Sequence, residues 1–134
     1  MKSINIKFPL SDDKIKNGLF ELNNVTKDAL VSNLMLLLMT ERGERYYLPE
    51  YGVNLRRYIF EPNDGVTQSD IEEEIKNNVK RFIPQLTISQ VQIFTNQDEE
   101  ANDTDINDNQ VLVLVDFTYS EDVFSETGRL ELII

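Results

Sequence analysis

The unbroken apolar run from Leu34 to Met39 (LMLLLM) stops at Thr40, and a charged turn follows at once: Glu41, Arg42, Gly43, Glu44, Arg45. A helix that is apolar nearly all round has to be covered on more than one side. At the helical period Leu30, Leu34, Leu37 and Leu38 form one stripe, an ordinary core face, while Met35, Leu36 and Met39 fall outside it. The expected cover is a sheet on one side and a second helix on the other. The competing reading gives Met35 and Met39 to a partner-facing patch, since methionine adapts to interfaces. Thr26 or Asn24 is expected to cap this helix, which runs over about 25–41, with Gly43 just past its end.

Beyond the turn comes GERYYLPEYG. Gly43 reverses the chain, Pro49 stiffens it, and Gly52 permits a second unusual backbone angle. Glu44 and Arg45 are placed to pair or to reach backbone groups. Tyr46, Tyr47 and Tyr51 supply flat amphipathic area. The plainer reading is a packed loop that fixes the helix against the next element. NLRRYIF then predicts a short helix, ended by Pro62 and Gly65. A second long helix is expected to start at Thr67 or Ser69, with Asp70, Glu72, Glu73 and Glu74 near its positive end. Ile71, Ile75, Val79 and Phe82 recur at helical spacing, and Pro84 stops it.

The last third changes period. Leu86 and Ile88, then Val91 and Ile93 after a slip of register, predict one strand; QVLVLVDFTY predicts a second and GRLELII a third. The acidic stretch between the first two reads as a long exposed hairpin loop over 97–109. Near the start, INIKF alternates as a strand or arm would, and GLFELNN suggests another short extended piece. The expectation is one α+β domain, two main helices packed on a small antiparallel sheet. It divides into an N-terminal arm (1–24), a helical part with the elbow (25–84) and the sheet with its acidic loop (85–134).

Composition removes most chemistry. The 134 residues include no Cys and no His, so disulfides, thiol or imidazole catalysis and ordinary zinc sites are excluded. The net charge of -11, from 24 acidic against 13 basic side chains, disfavours nucleic acid and favours a basic protein partner. The N-terminus is too polar for a signal peptide, and the run Ala29–Met39, interrupted by Ser32 and Asn33, is too short to span a bilayer. A cytosolic protein is expected. Asp103, Asp105, Asn107 and Asn109 echo a calcium loop, but Asp108 stands where Gly is needed and Leu114 where a bidentate Glu belongs, so no metal is expected. Glu41, Glu44, Glu50 and Glu61 are the candidates for carboxylate-based glycoside hydrolysis. Nothing in the sequence shows the apolar pocket that such an acid requires.

One combination is more specific than its parts. Leu34, Leu37, Leu38, Thr40, Gly43, Glu44, Arg45, Pro49, Glu50, Tyr51, Gly52, Leu55, Phe60 and Glu61 follow an order that resembles the baseplate wedge family of contractile phage tails, with relatives in type VI secretion baseplates. The likeness is close over about 25–95 and looser in the last strands. It implies a structural protein of the tail baseplate, not an enzyme, without cofactor and assembled in the host cytoplasm. Its implied partners are other wedge proteins and the tail sheath, with about six copies per ring. The family follows its second long helix with Glu-Pro-Arg, a docking motif; here the positions read Ile83, Pro84 and Gln85, with both charges gone. Either the partner surface is apolar and polar at this point, or another residue such as Arg81 supplies the charge.

The partner-binding residues expected on this basis are Ile83, Pro84 and Gln85, the elbow residues Glu44, Arg45, Pro49 and Glu50, and Leu130, Leu132 and Ile134 of the last strand. That strand has nothing after it to cover it, and a free sheet edge is a template for an incoming strand. Templating of the first sheath ring by strand pairing is the expected function. A lysozyme-like cell-wall hydrolase and a generic acidic adaptor are the alternatives.

Overall fold

The structure, a computed structural model, describes residues 4–10, 20–58, 60, 65–95, 110–121 and 124–134. The elements run β1 (Asn5–Ile6), β2 (Leu22–Asn23), α1 (Thr26–Met39), α2 (Leu55–Tyr58), α3 (Gly65–Phe82), β3 (Leu86–Thr95), β4 (Val111–Glu121) and β5 (Phe124–Ile133). β3, β4 and β5 form an antiparallel meander with β4 in the middle; β1 and β2 form a separate two-stranded ribbon. The architecture is α+β, as expected. The acidic stretch 97–109 with its calcium-like oxygens, and Glu61, lie outside the described residues.

The leucine stripe of α1 is buried, with Leu34 and Leu37 at 0 % exposure. Each such side chain adds about 2 kcal/mol of transfer free energy. The cover comes from three directions: α3, β5 and the ribbon strand β2. Met35 is half-buried against the core, whereas Met39 is exposed. The third cover uses the polar residues that interrupt the apolar run. Asn23 donates to Ser32 Oγ (2.9 Å) and to Asn5 Oδ1 (2.8 Å), and Asn5 donates to Asn33 Oδ1 (3.0 Å). These bonds fasten the ribbon to the helix, and a two-stranded ribbon needs such support.

Three helix ends differ from expectation. The residue before α1 is Val25, in extended backbone and without a side-chain cap, so neither Asn24 nor Thr26 fills that position. α1 stops at Met39 because Thr40 takes extended backbone; its N–H makes the last helical bond to the Leu36 carbonyl (3.1 Å), and its Oγ1 adds a second to the same oxygen (2.6 Å). Gly43 therefore serves the following turn rather than the helix end. α3 begins at Gly65, which puts Thr67 and Ser69 inside it; Ser69 Oγ bonds back to the Gly65 carbonyl at 2.7 Å instead of capping. Ile71, Ile75 and Val79 are buried on the face of α3 that packs against β3.

The register slip in the first long strand is a bulge. Leu86 and Ile88 pair with Tyr119 and Phe117, the ladder shifts between Ile88 and Gln90, and Val91 and Ile93 then pair with Val115 and Val113. The extra residue, Ser89, keeps all four apolar side chains on the core face. β5 is longer than the expected GRLELII and pairs with β4 without a shift from Phe124 to Ile133. Phe117 fills the core centre beside Gly128, where any side chain would collide with its ring.

Candidate functional site

The elbow between α1 and α2 is fixed by backbone bonds at its base. Gly43, at φ +86°, donates to the Pro49 carbonyl at 2.7 Å, and Val53 donates to the Thr40 carbonyl at 2.9 Å. Gly52, at φ +120°, lies against that same Thr40 carbonyl, leaving no room for a Cβ. Both glycines are thus required by conformation, and Gly52 by space as well.

The elbow's charges are engaged within the chain. Glu44 accepts from the Glu41 N–H at 3.0 Å. Arg45 lies 3.8 Å over the ring of Tyr51, whose burial pushes its hydroxyl pKa up while the guanidinium pulls the other way. Glu50 pairs with Arg81 at 3.1 Å, and Tyr51 meets Phe82 edge-on at 5.1 Å. The elbow is thereby tied to the last turn of α3, just ahead of Ile83, Pro84 and Gln85. Residues Glu44, Arg45, Pro49 and Glu50 and the junction after α3, distant in sequence, belong to one region. The cation nearest that junction, Arg81, is held by Glu50 and stacks 5.1 Å from Phe82.

Within the junction the three expected residues part company. Ile83 is 4 % exposed and belongs to the core, so its side chain is not offered to a partner; Pro84 and Gln85 are exposed. A turn closes there, with Leu86 N–H on the Ile83 carbonyl at 3.0 Å. The elbow also presents Tyr46 and Tyr47 almost fully to solvent, at 91 % and 94 % exposure, stacked edge to face. A second anchor escaped the sequence reading. Glu74 of α3 accepts from the Asn54 N–H (3.4 Å) and the Tyr58 hydroxyl (3.1 Å), while Asn54 Oδ1 accepts from the Arg42 N–H (3.1 Å). The cluster locks α2 and the elbow onto α3.

The last strand is the other expected region. β5 forms an edge: its other side pairs with no strand among the described residues. Val111 and Ile134 exchange both backbone bonds, at 3.0 and 2.9 Å. In an antiparallel ladder such pairs alternate with pairs whose N–H and C=O point away. With the observed register, Leu130, Leu132 and Ile134 direct their backbone groups at β4 and their side chains at the core. The groups at the open edge belong instead to Thr127, Arg129, Glu131 and Ile133. This corrects the expected residues: on β5 the backbone groups of Leu130, Leu132 and Ile134 are taken up by β4, and the alternate set faces the open edge. On the outer face Arg129 holds Asp116 bidentately at 2.6 and 3.1 Å, which keeps that carboxyl below the usual carboxylate range.

Where β5 ends, a groove of about 360 Å³ opens between Met39, Val53, Leu55, Phe60 and Ile133, with Glu41 on its wall. Among the described residues no group of acidic side chains is placed to hold a metal ion, and no helix is long and apolar enough to cross a membrane. Each described carboxylate considered for hydrolysis has a partner: Glu41 pairs with Arg56 (3.6 Å), Glu44 accepts from the Glu41 N–H and Glu50 holds Arg81.

Helices lie on one face of a three-stranded meander whose outer strand β5 pairs with no further strand among the described residues. The chain belongs to the baseplate wedge protein gp25 family, whose profile matches residues 25–122. The family is one of structural baseplate proteins. Solved structures share the fold. One is a protein of Geobacter sulfurreducens provisionally named a tail lysozyme, with TM-score 0.61 and 16 % identity, covering 84 % of this chain and 94 % of that one. Another is a chain of the anti-feeding prophage baseplate, with TM-score 0.60 and 20 % identity, covering 94 % of this chain and 81 % of that one. No curated protein matches the sequence significantly.

Proposed function

We propose that this protein joins the inner baseplate wedge to the first ring of tail-sheath subunits and starts the sheath by strand pairing at β5. The baseplate role follows from the family; the sheath link is carried by one observation, the regular edge of β5, which no strand among the described residues pairs. An unpaired row of N–H and C=O groups is a liability in a lone domain and an attachment site in an assembly. The copy number is about six, in keeping with the six-fold symmetrised anti-feeding prophage baseplate. The elbow and the exposed Pro84 and Gln85 form the wedge-facing side. The protein is a virion component, assembled in the host cytoplasm, with no catalytic role.

Removing the chain from tail-producing cells tests this reading. The expected result is tails without sheathed baseplates, restored by the wild type and equally by Glu44→Gln and Glu50→Gln. Sheathed tails in its absence would refute the reading. Peptidoglycan cleavage by the purified chain, lost in either variant, would replace it with the hydrolase.

A further inference from the structure

The geometry points to an anchor groove that selects the strand paired at β5: a partner segment with a large apolar side chain seated beside Met39, Phe60 and Ile133, and a Lys or Arg across from Glu131. This rests on the strand-pairing reading and adds which segment is accepted and how it is placed.

A bare sheet edge does not choose among extended peptides, because its backbone bonds are the same for every sequence. Strand-addition sites obtain affinity from the main chain and selectivity from side-chain pockets. β5 has such a pocket at its C-terminal end. Ile133 offers its backbone to the edge and lines the groove as well. Met39 at the end of α1 and Phe60 beyond α2, also lining it, are exposed, whereas the leucines of α1 are buried or half-buried. Exposed methionine and aromatic side chains around a concave apolar wall are typical of binding surfaces. The groove floor is firm, since Val53 and Leu55 are buried and held by the elbow's bond to Thr40.

Charge decides the rest. Glu131 is exposed on the edge strand, whereas Glu41 on the groove wall is offset by Arg56, which lines the groove beside it at 3.6 Å, so the preference for a basic residue rests on Glu131. The chain carries -11 overall. A basic residue opposite Glu131 gains a favourable cross-strand pair, whereas an acidic one is rejected. The same net charge disfavours a second copy of this chain as the occupant. With the apolar anchor at one end and the basic residue further along, only one direction and register satisfy both contacts.

The test is tail assembly with three full-length variants, each scored by electron microscopy for baseplate incorporation and sheathed particles. Met39→Gln with Phe60→Ser removes the anchor, Glu131→Lys reverses the charge, and Glu131→Pro blocks pairing. All three change exposed side chains, and thermal melts of the purified chains check folding. Met39→Gln alone replaces the double variant if that one unfolds. Normal incorporation is expected throughout, with sheathed particles reduced about tenfold or more by the anchor variant, reduced by Glu131→Lys, and absent with Glu131→Pro. Normal sheaths in the anchor and charge variants, with none in Glu131→Pro, overturn the anchor and leave strand pairing standing. Normal sheaths in all three overturn both. Loss in the anchor variant alone gives the groove to something other than a strand and overturns the proposal, as does a stable dimer of the isolated chain that Glu131→Pro dissolves.

Discussion

The sheet has two outer strands, and they are built differently. β3 carries a bulge at Ser89, whereas β5 runs without a shift beside β4 from Phe124 to Ile133. A bulge twists an edge and interrupts the row of backbone groups that another strand would read. An even edge lacks that protection. Under the proposed strand pairing, one side of the sheet is guarded and the other is able to pair. The elbow's charges are engaged within the molecule, on Glu41 N–H, Tyr51 and Arg81, while the outer side of β5 pairs with no strand among the described residues.

The groove at the end of β5 is lined by Val53 and Leu55, which follow the elbow in the chain. Gly52→Ala forces a Cβ into the Thr40 carbonyl at a left-handed φ. A loss of about 3 kcal/mol or more is expected in urea melts, with sheath initiation impaired along with the fold. Retained stability would mean that the elbow does not brace the groove.

A smaller change redraws the comparison itself. Deleting Ser89 leaves Ile88, Gln90, Val91, Gln92 and Ile93 in regular alternation, so the core pattern survives while the bulge goes. Stability should stay within about 1 kcal/mol, but the chain should self-associate in sedimentation runs through a second even edge. A monomer would show that the bulge does not guard β3.

The smallest effect belongs to the outer-face pair. Arg129 lowers the pKa of Asp116, so the pair's stabilising contribution is complete above the ordinary carboxylate pKa and is lost as pH falls through the lowered one. Asp116→Asn should be slightly less stable than wild type near neutral pH and equal to it in strong acid, by denaturant melts. A difference that persists in strong acid would assign the effect to something other than ionisation.

Much of this was legible in the residues. The α1 stripe follows from the spacing of Leu30, Leu34, Leu37 and Leu38, and the slip at Ser89 follows because no unbroken alternation puts Leu86, Ile88, Val91 and Ile93 on one face. The helix starts were not, because Thr26, Thr67 and Ser69 are good capping residues wherever they stand near a helix end. Ile83 was legible as a core residue, since it continues the four-residue spacing of Ile71, Ile75 and Val79 and donates to the Val79 carbonyl as a further helical turn would; the resemblance to a docking motif drew it to the partner side instead. The open-edge residues were misassigned for a different reason. Side-chain alternation is written in RLELII, but the direction of each N–H depends on the register with β4, which only the assembled sheet sets. The ties from Glu50 to Arg81 and from Glu74 to Asn54 and Tyr58 join residues far apart in sequence, and charge alone does not say which acid meets which partner.

The most direct measurement is electron microscopy of tails assembled with Glu131→Pro. The substitution removes an N–H that points away from β4, so the hairpin keeps its own bonds while the edge loses a donor. The expected particles carry baseplates and bare tubes, and the purified variant melts close to wild type. Sheaths of normal number and length on those particles would contradict the account.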